Sequence, residues 1–130
     1  MKNKLIYIVD DSIIIQELLS LTFAQLDHVE VKKFSTGEDM VSAIGDEEPD
    51  LFILDYFLDS KDADVYNGRD LINILKNQHK KGKIIMLSSL EDKVEIESLI
   101  CLGVEKFIDK NIGNVVDGVK TEALRLLQAV

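Results

Sequence analysis

Three apolar runs, Leu5 to Val9, Leu51 to Leu54 and Ile84 to Leu87, are continuous rather than alternating. Strands covered on both faces read this way, so these three are predicted as the central strands of a parallel sheet. Val29 to Phe34 mixes Val29, Val31 and Phe34 with Glu30, Lys32 and Lys33, and Lys106 to Ile108 is short, so both are predicted as edge strands. The intervening segments have helical spacing. In the first of them Ile14, Leu18 and Leu21 form one stripe, and Ile15, Leu19, Thr22 and Leu26 form another. Cap residues followed three places on by an acid mark the later helix starts: Ser35 with Glu38, Asn67 with Asp70, Ser89 with Asp92 and Asn114 with Asp117. Five strand–helix units without repeat, low-complexity tract or linker predict one α/β domain over residues 1–130, with helices on both faces of the sheet.

Composition narrows the function. The chain has 130 residues, 46% of them hydrophobic, which suffices for one core. Its 15 basic and 24 acidic residues give a formal net charge of -9, a surface that repels phosphate backbones and anionic lipid, so direct nucleic-acid binding is not expected. The single cysteine, Cys101, excludes an internal disulfide; with Leu99, Ile100 and Leu102 around it, it reads as core packing on a helix's buried face. The first apolar run is too short for a signal peptide or a membrane span, and a cytoplasmic location without membrane association is expected.

In an open parallel sheet, ligands bind beyond the carboxyl ends of the strands, near the point where strand order reverses. Here those ends carry Asp10 and Asp11, Asp55, Ser88 and Ser89, and Asp109 and Lys110. Each has an ordinary reading alone: Asp10, Asp11 or Ser12 as a helix cap, Asp55 as a turn residue, Ser88 bonded to nearby backbone, Lys110 as a solvated cation. Together they place three carboxylates at one rim, where like charges repel unless a cation lies among them. Hard oxygen ligands favour magnesium. His28 and His79 lack metal-ligand spacing and read as surface residues near helix ends. With magnesium present a carboxylate can attack phosphorus and become an acyl phosphate, and Asp55 is the best-placed nucleophile. Lys110 and the Ser88 hydroxyl are then positioned to neutralise the equatorial oxygens, and no general base is required.

Four fragments in order, Tyr-Ile-Val-Asp10-Asp11-Ser, Leu-Phe-Ile-Leu-Asp55-Tyr, Ile-Ile-Met-Leu-Ser88-Ser89 and Gly103-Val-Glu-Lys-Phe107-Ile-Asp-Lys110, resemble the receiver domains of response regulators in two-component signalling. The likeness runs from Lys4 to the last helix. It implies a doubly wound, flavodoxin-like sheet of order 2-1-3-4-5 and phosphorylation of Asp55 by a histidine kinase or histidine phosphotransfer protein. It further implies a magnesium ion held by Asp10, Asp11, Asp55 and the main-chain carbonyl of Phe57, with Ser88 and Lys110 on the phosphoryl group. Phe107 matches the family's aromatic switch. The usual output face corresponds to Asp92 to Leu102, Lys106 to Ile108 and Asn114 to Leu127, acting on a separate effector protein or on an output domain outside this chain.

The chain also departs from the family pattern. Asn111 replaces the proline usual after the lysine, so looser placement of Lys110 is expected. Asp59 replaces another common proline, and Ser60 to Tyr66 lengthen an acidic loop that reads as solvated, with tuning of metal affinity or partner choice as the functional alternative. Phe57 and Leu90 offer no polar group to orient water, so slow self-dephosphorylation is expected. A magnesium-dependent aspartyl-phosphate phosphatase is the enzyme alternative, but such enzymes usually place an acid two residues after the nucleophile, where Phe57 stands. The other alternative is a degenerate receiver serving as a constitutive interaction module. Retention of Asp10, Asp11, Asp55, Ser88 and Lys110 argues against it.

Overall fold

Strands and helices alternate through the whole chain: β1 (Lys4–Val9), α1 (Ile13–Ala24), β2 (Val29–Phe34), α2 (Gly37–Ile44), β3 (Leu51–Asp55), α3 (Gly68–Asn77), β4 (Lys83–Ser88), α4 (Lys93–Cys101), β5 (Val104–Asp109) and α5 (Val115–Gln128). The structure is a computed structural model and describes residues 3–56, 67–89, 92–111 and 113–128. All five strands are parallel, in the order β2-β1-β3-β4-β5. The two strands predicted as edges, β2 and β5, are the edges.

Alternation along each strand divides the core into two layers. Tyr7, Val9, Phe52, Leu54, Ile84 and Met86 face one way, under Met40 and Ile44 of α2, Leu71 and Leu75 of α3, and Leu99 of α4. Ile6, Ile8, Leu51, Ile53, Ile85 and Leu87 face the other way, under Leu19 and Phe23 of α1 and Val119 and Leu126 of α5. Because β1, β3 and β4 are covered on both sides, they read as unbroken apolar runs.

Four sequence expectations need correction. Cys101 is exposed rather than packed in the core. α4 fully buries only Leu99, and a helix cannot turn consecutive residues to one side, so Ile100 and Cys101 face out. The cap of α2 is Thr36, accepting from the Asp39 N–H at 3.1 Å, one residue on from the Ser35 and Glu38 pair. α4 is capped by Asp92 itself, whose side chain accepts from Val94 and Glu95, so the Ser89 and Asp92 pairing is not a box. β5 is longer than the predicted run from Lys106 to Ile108. In α1 the stripe containing Ile15, Leu19 and Leu26 packs inward, whereas Ile14, Leu18 and Leu21 are exposed. Of the three candidates for the α1 cap, Asp10, Asp11 and Ser12, the cap is Ser12. The remaining caps lie where the sequence puts them: Asn67 with Asp70 as a reciprocal box for α3, and Asn114 accepting from Asp117 N–H at the start of α5.

Candidate functional site

β1 and β3 are adjacent, and between them the chain's direction of travel across the sheet reverses: β2 lies beyond β1 on one side, β4 and β5 beyond β3 on the other. This is the crevice where parallel α/β sheets hold ligands. Asp10 directly follows β1 and Asp55 ends β3, each at the close of an apolar run that pulls it inward. Asp10 is 0% and Asp55 3% exposed. Asp11 beside them is exposed. One carboxylate oxygen from each of Asp10, Asp11 and Asp55 lies within 4.8 Å of the others.

Lys110, following β5, reaches across the rim. Its Nζ donates to Asp10 Oδ2 and to Asp55 Oδ2, each at 3.0 Å. Asn111 does not prevent this: the backbone N–H that a proline would lack donates to Asp109 Oδ1 at 2.8 Å, and the Lys110 N–H donates to the Ser88 carbonyl at 3.3 Å. Ser88, 5% exposed, ends β4 one residue beyond Leu87, the register partner of Asp55. It shares a strand face with Met86, and Phe107, half-buried, packs into that same layer beside α4. Both residues expected to act as a switch therefore point to the α4 side of the sheet.

The electrostatics follow from this crowding. Burial, then repulsion from Asp10, pushes the Asp55 carboxyl up to about 7, although Lys110 opposes the rise. Burial likewise raises Asp10, against bonds from the Ser12 N–H and Lys110. Burial works against the Lys110 ammonium too, yet its bonds to Asp10 and Asp55 hold its pKa above the ordinary value. One ammonium shared by two sealed carboxylates leaves an uncompensated negative charge. A set of hard oxygen donors in that condition fits a divalent cation such as magnesium.

One contributor escaped the sequence reading. Gln16, buried within α1, donates from Nε2 to the Asp10 carbonyl at 2.5 Å, to Ser35 Oγ at 3.0 Å and to the Phe34 carbonyl at 3.4 Å. It ties the turn carrying Asp10 and Asp11 to the end of β2. Its sequence signal is an amide on the inward face of α1, beside Ile15 and Leu19. Phe57, Leu90 and the acidic loop from Asp59 to Tyr66 lie outside the described residues.

The comparisons with known proteins agree with this fold. The family model of the response regulator receiver domain matches residues 6–116, and the chain belongs to that family. Among solved structures, the receiver domain of Francisella response regulator 1452 gives a TM-score of 0.81 at 17% identity, covering 98% of both chains. The signal receiver domain of a Luxo repressor protein from Vibrio parahaemolyticus gives 0.82 at 22%, covering 98% of this chain and 92% of that one. A CheY-like receiver domain protein from Methanospirillum hungatei gives 0.79 at 21%, covering 98% and 96%. At these identities the likeness establishes the fold. The comparison with curated proteins returned no match.

Proposed function

We propose that this chain is a phosphorylation-dependent signalling switch in which Asp55 accepts a phosphoryl group from a histidine kinase or histidine phosphotransfer protein. The observation that carries this reading is the meeting of Asp10, Asp11 and Asp55 with Lys110 at the strand reversal point.

An Asp55 carboxylate oxygen attacks the phosphorus of the donor phosphohistidine, the phosphorus–nitrogen bond breaks, and the electron pair leaves with the imidazole. Asp10, Asp11 and Asp55, with the Phe57 main-chain carbonyl, would hold magnesium, which supplies positive charge for the phosphoryl oxygens. Lys110 supplies the second positive charge. It already lies against Asp55, so little has to rearrange as negative charge moves onto the phosphoryl group. The Ser88 hydroxyl contacts an equatorial oxygen, and Phe107 follows its movement into the layer beside α4. The new conformation then favours an effector protein or an output domain.

This is switch chemistry, confined to the protein's own phosphorylation and dephosphorylation. A cytoplasmic location belongs to the same proposal; among the described residues no helix is long and apolar enough to cross a membrane. The test is incubation with acetyl phosphate, with and without magnesium, followed by intact-mass measurement. The wild type gains one phosphoryl group only with magnesium, and Asp55→Asn gains none. Equal modification of both proteins would refute the assignment.

A further inference from the structure

Tyr56 follows Asp55 directly, and its backbone is pinned at the rim: its N–H donates to the Leu87 carbonyl at 2.9 Å, and its carbonyl accepts from the Gly68 N–H at 3.0 Å. Its phenol donates to Glu95 Oε2, in the first turn of α4, at 2.6 Å. Arg69, in the first turn of α3, donates to that same oxygen from Nε at 2.9 Å, to Glu95 Oε1 from Nη2, and to Ser98 Oγ at 2.6 Å. The Arg69 and Glu95 side chains are 30% and 22% exposed, so these bonds are partly shielded from water. The Arg69 bond first, and the Tyr56 phenol second, hold the Glu95 carboxyl down to about 2.

Among the described residues, α4 has a small apolar footing. α3 buries Gly68, Leu71, Ile72 and Leu75, whereas α4 buries Leu99 alone and leaves Val94 and Ile100 exposed. A helix with so small an apolar footing belongs to the less stable part of a fold, where polar contacts weigh more in its position. Of the polar contacts onto α4 named above, the one from Tyr56 leads to the residue beside Asp55.

We propose that Tyr56 and Glu95 form a tether through which the state of Asp55 sets the position of α4, a second route alongside Ser88 and Phe107. The proposal rests on the reading of Asp55 as the phosphoacceptor and adds a route of regulation to it. Arg69 is the fixed post of the tether: it orients the Glu95 carboxylate from α3, so a change at the Tyr56 backbone is felt as a lost or retained bond at α4. Coupling between two sites is reciprocal in free energy. A partner that grips α4 with the tether closed therefore alters how tightly Asp55 holds a phosphoryl mimic.

The experiment is amide hydrogen exchange on the full chain, comparing wild type, Tyr56→Phe and Glu95→Gln, each with magnesium alone and with magnesium plus beryllofluoride as the phosphoryl mimic. Tyr56→Phe keeps the ring and removes only the bond, so folding is preserved; Glu95→Gln keeps the shape and removes the charge. With magnesium alone, α4 amides exchange about tenfold faster than in wild type in Tyr56→Phe, the loss expected for one charge-assisted hydrogen bond, and at least as fast in Glu95→Gln, which also weakens the Arg69 bonds, while α5 amides are unchanged. Beryllofluoride alters α4 exchange in wild type, and the alteration shrinks in both variants. Identical α4 exchange in wild type and Tyr56→Phe, or a full α4 response in the variants, overturns the tether. Absence of any beryllofluoride response in wild type overturns the phosphoacceptor reading and the coupling to Asp55 with it. Faster α4 exchange in the variants would in that case mark Tyr56 and Glu95 as a purely structural contact.

Discussion

Asp55 and Asp10 are sealed from water while sharing one ammonium, and this gives the metal-free protein a pH dependence of definite sign. The Asp55 carboxyl titrates at 3.8 when unperturbed and at about 7 in the fold. Between those values the folded state retains a proton that the unfolded chain has lost, so stability is greatest at the acid end of the window and falls as pH rises through it. Thermal melts in chelator from pH 5 to pH 8 should therefore show a falling midpoint in wild type, by on the order of 5 °C, and a flatter profile in Asp55→Asn. Added magnesium should flatten the wild-type profile as well, because a bound cation favours the ionised carboxylates. A metal-free wild-type midpoint that stays level or rises over this range contradicts the electrostatic account. Glu95 has the opposite sign: depressed from 4.5 to about 2, it stabilises the fold above pH 4.5 and loses that contribution as pH falls toward 2. Its effect therefore lies below the window that Asp55 controls.

At the scale of elements, what was legible depended on how local the signal was. Strand ends were readable because β1, β3 and β4 are apolar without interruption, so the first polar residues after them, Asp10, Asp55 and Ser88, had to emerge at the sheet's rim. The facing of α1 was not readable, since two apolar stripes competed and only packing against β1 and α5 selects Ile15 and Leu19 over Ile14 and Leu18. Cys101 was misplaced for a related reason, the apolar run at the end of α4 being longer than the face the helix buries. Contacts between distant residues were beyond pattern reading altogether. Tyr7 donates to Glu47, which also accepts from Lys32, and nothing near either residue announces the other. Gln16 belongs to the same class. Replacing it by leucine should leave the Asp10 carbonyl without that buried donor and cost about 1–3 kcal/mol, read as a lower urea midpoint. An unchanged midpoint would show that the turn after β1 does not depend on the amide.

The molecule as a whole is a two-layered sheet whose charged chemistry is gathered at one rim and whose helices divide unequally, α1 and α5 on one side, α2, α3 and α4 on the other. Ser88, Phe107 and Tyr56 all lead from the rim into the layer beneath α4, and α4 has the smallest buried footing of the three helices there. On the proposed reading of Asp55 as the phosphoacceptor, a signal leaving the rim is directed toward that helix. The measurement that tests this account most directly is the location of the phosphoryl group. After reaction with acetyl phosphate and magnesium, borohydride reduction converts an aspartyl phosphate to homoserine, and peptide sequencing by mass spectrometry finds the altered residue. The account predicts homoserine at position 55 and nowhere else; homoserine at another aspartate, or none in protein that has gained a phosphoryl group, would contradict it.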